Sequence, residues 1–283
     1  MTDVRAPAGD RPRAYPPETT EGWYAFHQIL AWDPAARRAI PAGELPSLLH
    51  RSTETLRALE EPTEGGWSAV VPLIGSRADV MLIHFRPTLD DIGAVQRTLA
   101  AAALFDVLRP VYSFLSVTEA GLYHATAQLV AAAAARGGKA GDEIYRAEMA
   151  KRVDAERASA HVQRRLFPQQ PADMPYVCFY PMSKKREPGA NWYTLPVEER
   201  SRLMLTHGLT GRGYAGQIVQ VITGAIGFDA WEWGVTLFAK DPLAFKKIVT
   251  DMRFDEVSAD YAEFGEFFVG KRATPTEWLG GPR

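Results

Sequence analysis

Apolar and polar positions alternate along this chain in two periods that follow one another in a fixed order. Residues 23–32, WYAFHQILAW, are aromatic and branched and predict a strand. Asp33-Pro34 predicts a helix start, with the aspartate as cap and the proline in the first turn. Helical character, broken near Pro41 and Pro46, runs to about Leu59. Residues 67–74 and 78–85 predict two strands joined by a turn at Gly75-Ser76. A helix over 89–108 and a strand over 110–118 complete the order β-α-β-β-α-β.

The order then repeats. Residues 176–180 predict a strand ending on Tyr180, and Pro196 starts a helix with Glu198 and Glu199 in its first turn and Gly208 as its stop. Strands over 217–226 and 231–239 flank Gly227-Phe228-Asp229-Ala230, Asp241-Pro242 starts a helix to about Met252, and 254–261 predicts the last strand. Between the halves, 119–173 is Ala-rich and then charged, and predicts two helical pieces with a solvated face. An internal repeat of about 100 residues in this order predicts an α+β fold. The repeat predicts two tandem duplicated ferredoxin-like units, 21–118 and 174–270, sheet beside sheet in a dimeric α+β barrel-like domain, with tails at 1–20 and 271–283.

Composition narrows the function classes. With 32 basic against 34 acidic residues the net charge is −2, so no global field favours nucleic acid or membrane. The one cysteine, Cys178, lies in an apolar run and offers neither a disulfide nor a Cys-x-x-Cys pair, which suits a reducing cytoplasm. Residues 1–20 lack the apolar run of a secretory signal and read as a disordered tail.

Two glycine-rich patterns fail in context. Gly211-x-Gly213-x-x-Gly216 follows a helix and precedes a strand, the reverse of the dinucleotide-binding order. Gly265-x-x-x-x-Gly270-Lys271 continues into Arg272 rather than Ser or Thr, and no helix clearly follows. Other residues carry candidate chemistry. His207 shares a helix face with Leu203 and Met204, so its imidazole points inward, either as a core or capping histidine or as a metal ligand. Gln220 alternates with Ile218, Ile222 and Ile226, and is either a core amide bonded to main chain or an amide lining a ligand cavity. Tyr180 shares a strand face with Tyr176 and Cys178, and Lys184, Lys185 and Arg186 follow in a basic turn that is either solvated or a rim for carboxylates. Arg165, Arg212 and Arg253 are placed to join that rim, with Arg253 expected to be partly buried.

These residues carry a resemblance. The runs YVCFYPMSKKR (176–186), NWYTLPVEER (191–200), HGLTGRGYAG (207–216), FDAWEWGVTLF (228–238) and MRFDEVSADYAEF (252–264) resemble the chlorite dismutase family, most densely over 171–270. Within that family they resemble the branch that decarboxylates coproheme (iron coproporphyrin III) with hydrogen peroxide to give haem b. The resemblance implies His207 as the proximal iron ligand and Tyr180 as the redox-active residue, with Lys184 beside the reacting propionate. It also implies Gln220 as the distal amide, where chlorite-splitting relatives carry arginine. Propionates are expected at Arg165, at the main chain from Tyr180 through Pro181, Met182 and Ser183 to Lys184, and at Ser258, with Arg253 near the porphyrin edge. Phe167 stands where relatives often carry a tyrosine. A cytoplasmic homopentamer and a transient contact with coproporphyrin ferrochelatase are further implications. A haem carrier or sensor, a chlorite dismutase or peroxidase, and a cofactor-free ferredoxin-like dimer are the competing readings.

Overall fold

The computed structural model describes residues 15–280. The first half runs β1 (Thr19–Trp32), α1 (Pro34–Ala39), α2 (Leu45–Glu60), β2 (Trp67–Pro72), β3 (Val80–Arg86), α3 (Leu89–Ala100) and β4 (Leu108–Gly121). Asp33 caps α1 as its spacing predicts, accepting from the Ala35 and Ala36 N–H groups at 2.8 and 2.9 Å. Three helices bridge the halves: α4 (Tyr123–Ala135), α5 (Glu143–Ala158) and α6 (Ala160–Leu166). The second half runs β5 (Tyr176–Lys184), a hairpin of β6 (Arg186–Glu187) and β7 (Ala190–Asn191), α7 (Val197–Arg212), β8 (Ile218–Gly224), β9 (Trp233–Ala239), α8 (Leu243–Arg253), α9 (Glu256–Tyr261), β10 (Ala262–Phe264) and β11 (Phe268–Lys271). A closing helix, α10, spans Pro275–Gly280.

Each half lays its strands in the same order, β4-β1-β3-β2 and β10-β5-β9-β8, within one nine-stranded antiparallel sheet. The halves join where Val117 and Thr118 of β4 pair with Gly224 and Thr223 of β8. At the far edges the sheet curls back on itself. β11 pairs with β5 and reaches β2 through bridges Leu73–Gly270 and Val70–Ala273. The inward face is packed with Ile29, Met81, Ile83, Phe85, Phe114, Phe179 and Phe238. The outward face differs between halves. In the first it is covered by α2 and α3 through Leu48, Leu56, Val95 and Leu99, while in the second α8 covers it through Ala244, Phe245 and Ile248.

Several expected boundaries move. Residues 19 and 20 belong to β1, and the Tyr15 carbonyl accepts from Arg200, so the expected tail is ordered from there; residues 1–14 lie outside the described residues. The 271–283 tail contains α10. Pro46 opens α2 rather than breaking it, as a proline in the first turn leaves no helical bond unmade. The helix expected over 89–108 ends at Ala100, and a short 3₁₀ turn (Ala103–Asp106) leads into β4. Gly208 does not stop its helix, which continues to Arg212 because its packing on α4, α8 and α9 outweighs the roughly 1 kcal/mol cost of an internal glycine. Residues 256–261 form α9 rather than a strand, with Asp255 as its cap.

Two histidines are sealed in the first half. His27, fully buried, stacks on Phe179 with ring centroids 4.1 Å apart and pairs with the Thr236 hydroxyl at 2.9 Å. His84 pairs with the Ser68 hydroxyl at 2.7 Å on the outward face. Burial holds both pKa values at about 3, far below the ordinary 6.5. The folded state therefore refuses protons that the unfolded chain takes up below pH 6.5, and stability is lost as pH falls from there toward 3. Urea unfolding at pH 5 is expected to give a stability about 4 kcal/mol below that at pH 7.5 from these two groups, and His27→Phe is expected to remove about half of that loss. Gly270 supports a second expectation, because a Cβ there would stand 2.2 Å from the Pro72 carbonyl oxygen. Gly270→Ala is expected to open the seam between β11 and β2 and cost about 2 kcal/mol in the same assay.

Candidate functional site

Alternation along β5 sets the site. Val177 and Phe179 point into the barrel, so Cys178, Tyr180, Met182 and Lys184 point out, toward the helices of the second half. The strand does not end on Tyr180. It runs to Lys184, paired with β9 through Met182 and with β10 through Lys184. Tyr180 is 7% exposed and stacks on Phe267 at 4.4 Å between centroids, with Ile218, Val235 and Leu237 beside it. Burial pushes its phenol well above the ordinary tyrosine range, and the Arg253 guanidinium works against that shift. The main chain of the run is largely committed, the Pro181 carbonyl accepting from Gly265 at 2.8 Å and the Lys184 N–H donating to Glu232 at 2.7 Å. A ligand reaching this strand therefore meets side chains first.

His207 lies midway along α7, one turn beyond the buried Leu203, and is half-buried. Its Nδ1 pairs with Asp255 Oδ2. A carboxylate accepts, so Nδ1 carries the proton and Nε2 keeps the lone pair of the neutral ring. Asp255 also caps α9, its Oδ1 accepting from the Val257 N–H at 3.1 Å. α7 rests chiefly on α4, α8 and α9. One turn past His207 the helix has no side chain: a Cβ at Gly211 would lie 3.4 Å from Met252 Cε and 3.9 Å from Gln220 Oε1. Gln220 thus faces α7 from β8. It is exposed rather than set in a core of isoleucines, and Ile226 lies beyond the strand, 62% exposed.

Lys184 is not part of a solvated turn. It is 8% exposed, with its ammonium 4.6 Å from the centre of the fully buried Trp192 ring. Burial lowers its pKa from 10.5 to about 8, opposed by the carboxylates of Asp255 and Glu232. Lys185 does contact α9, donating to the Ala259 carbonyl at 3.4 Å, and Ser258 is buried on that helix one turn from Asp255. Arg253 is exposed, not partly buried, because it closes α8 at the surface; its guanidinium lies 3.9 Å over the Phe264 ring, next to Tyr180. Arg165 lies beside Glu119, which accepts from the Trp233 indole N–H at 2.9 Å. The arginine is exposed at the end of α6 and also faces Glu156. Phe167 packs edge-on against Trp23 at 5.5 Å. Asp255, Glu232 and Trp192 were not singled out in the sequence. Only Asp255 carried a signal, as an acidic residue before Glu256 at a helix start.

Known proteins share this arrangement of sequence and fold. The profile of the family described as Chlorite dismutase matches residues 49–273, so the likeness reaches well before 171. A coproheme decarboxylase of Staphylococcus saprophyticus is 40% identical over 260 residues, covering 91% of this chain and 94% of the relative. One of Staphylococcus carnosus is 39% identical over 264 residues, covering 93% and 96%. A haem-binding protein of Thermus thermophilus superposes with a TM-score of 0.78 at 37% identity, covering 95% of this chain and 99% of that one. A mutant chlorite dismutase of Candidatus Nitrospira defluvii shares the fold, with a TM-score of 0.68 at 16% identity, covering 92% of this chain and 95% of that one.

The lowered lysine pKa has a measurable sign. Below about pH 8 the folded state holds a buried ammonium that the unfolded chain carries at no cost, and the penalty fades as pH rises toward 10.5. Between pH 7.5 and 9.5 the wild-type chain is expected to gain about 2 kcal/mol of stability relative to Lys184→Met, measured by urea unfolding of both.

Proposed function

The chain belongs to the chlorite dismutase family, and from that premise we propose that it decarboxylates coproheme. Two propionates of iron coproporphyrin III become vinyl groups, with hydrogen peroxide as oxidant and haem b as product. The observation that carries this reading is the set of side chains that α7 and the outward face of β5 and β8 present to one another. A carboxylate-held histidine stands on the helix, and a phenol, a buried amine and an amide stand on the strands. The two Staphylococcus relatives named coproheme decarboxylase support the substrate, and the haem-binding Thermus protein supports a porphyrin in this fold.

The side chains fit an iron porphyrin with carboxylate arms. The Nε2 lone pair of His207 would hold the iron. Ile218, Val235 and Met252 offer an apolar wall. Gln220, which faces α7 from β8, would offer a neutral amide able to hydrogen-bond peroxide. Lys184, Arg253, Arg165 and Ser258 would meet the carboxylates together with the main chain at Ser183, and Pro181 and Met182 hold the strand between Tyr180 and Lys184. Asp255 keeps the His207 ring oriented and its far nitrogen basic.

When bound, the iron with peroxide supplies the oxidising equivalents. Tyr180 gives up an electron and its phenolic proton, and its radical takes a hydrogen atom from the β-carbon of a propionate. The carboxylate then leaves as carbon dioxide, the second electron is taken by the oxidant, and a vinyl group remains. Each round consumes one propionate, one peroxide and one proton, and gives one vinyl, one carbon dioxide and two waters; two rounds give haem b. Lys184 holds the reacting carboxylate through its ammonium and supplies the proton. A cytoplasmic homopentamer, loaded by a coproporphyrin ferrochelatase, belongs to the same proposal.

Mass spectrometry after adding peroxide to the coproheme-loaded protein is expected to show a one-vinyl species and then haem b. Tyr180→Phe is expected to keep the Soret band of the bound substrate and to stop turnover. Lys184→Met is expected to lower kcat/KM by about 100-fold or more. His207→Ala is expected to lose the spectrum of the coordinated iron. Bleaching without any vinyl product would instead make the protein a haem carrier, and normal turnover by Tyr180→Phe would remove the radical role.

A further inference from the structure

A second buried carboxylate lies beside Lys184 and takes no part in holding His207. Glu232, 7% exposed, immediately precedes β9. Its Oε2 accepts from the Lys184 main-chain N–H at 2.7 Å. Its own N–H donates to the Met182 carbonyl at 3.1 Å and lies 3.2 Å from Ser183 Oγ, and its carbonyl accepts from Ala225 at 2.7 Å. One residue thereby ties the end of β5 to the loop between β8 and β9. The side chain itself is under-used. Asp255 has both oxygens engaged, by Val257 and by His207. Glu232 Oε2 accepts from the Lys184 main-chain N–H, the Tyr193 phenol faces the same carboxylate as a second donor, and Glu232 joins no ion pair among the described residues. A buried carboxylate in that position is tolerated only beside a compensating charge, and Lys184 is the cation it faces.

We propose that Glu232 is a positioning residue for Lys184, anchoring the strand end that carries the amine and keeping the amine protonated in its buried, aromatic setting while Asp255 serves His207. This rests on the role given to Lys184 above. The carboxylates facing the Lys184 amine are Asp255, from the start of α9, and Glu232, from the start of β9; the Trp192 ring covers it, and burial works against the charge that both carboxylates support. The Tyr193 phenol also faces Glu232 and is itself pushed up by burial and by that carboxylate.

The test follows the Lys184 amine directly. In full-length protein labelled with carbon-13 lysine, the Lys184 side-chain signal is assigned by its loss in Lys184→Met and then titrated. Glu232→Gln, which keeps the acceptor for the Lys184 N–H but removes the charge, is expected to move that titration down by about one pH unit. The alkaline limb of the decarboxylation profile is expected to move with it, while the Soret titration with coproheme keeps its position. Glu232→Asp is expected to recover part of the shift, and it decides the same question if the glutamine variant does not fold. A Lys184 titration unmoved in these variants overturns the proposal. A titration that moves while the pH–rate profile stays put supports the positioning role and overturns the role of Lys184 in the reaction.

Discussion

The site depends on the two-residue alternation of one strand that is paired on both edges. β5 sits between β9 on one side and β10 and β11 on the other, so it can neither slip nor twist without breaking both ladders. Its inward residues are fixed by packing: Phe179, fully buried, lies flat against His27 and among Phe114 and Phe268. Once Phe179 is committed to the barrel, Tyr180 and Lys184 have one direction left. A slip by one residue would bury the phenol and the amine in the aromatic core and hand the outward face to Val177 and Phe179. The barrel core therefore positions the chemistry without touching it.

Electrostatics then divide the outward face. Burial opposes every charge there, so each ionised group needs a partner from another element. Asp255 serves two ends at once, capping α9 and holding His207. Lys184 is met by carboxylates from the starts of α9 and β9 and by the face of Trp192. The same loops that end the helices and strands of the second half thus supply the charges. In the first half the corresponding face is filled with leucine and valine from α2 and α3. The repeated strand order thus carries different side chains on the two outward faces.

Much of this was legible in the sequence, and the failures have physical causes. The repeated element order, the cap at Asp33 and the shared face of Cys178 and Tyr180 follow from local pattern alone. Gly208 misled because a glycine signals a helix end only when tertiary contacts do not carry the helix onward, as α4, α8 and α9 do here. Of the two readings of Gln220, the core amide fails because alternation gives the face but not what covers it, and the residue is exposed. Lys184 was assigned to a turn because its burial comes from Trp192 and β10, neither of which is its neighbour in sequence. Glu232 lay between two tryptophans with no local mark of burial. A buried carboxylate is defined by groups that other elements bring to it.

The most direct test of the account is a crystal structure of the protein with coproheme bound. It is expected to place the iron on His207 Nε2 with the ring between α7 and β8, and one propionate within hydrogen-bond reach of both the Tyr180 phenol and the Lys184 amine. Iron held by any other residue, or all four propionates turned away from Tyr180 and Lys184, would contradict it.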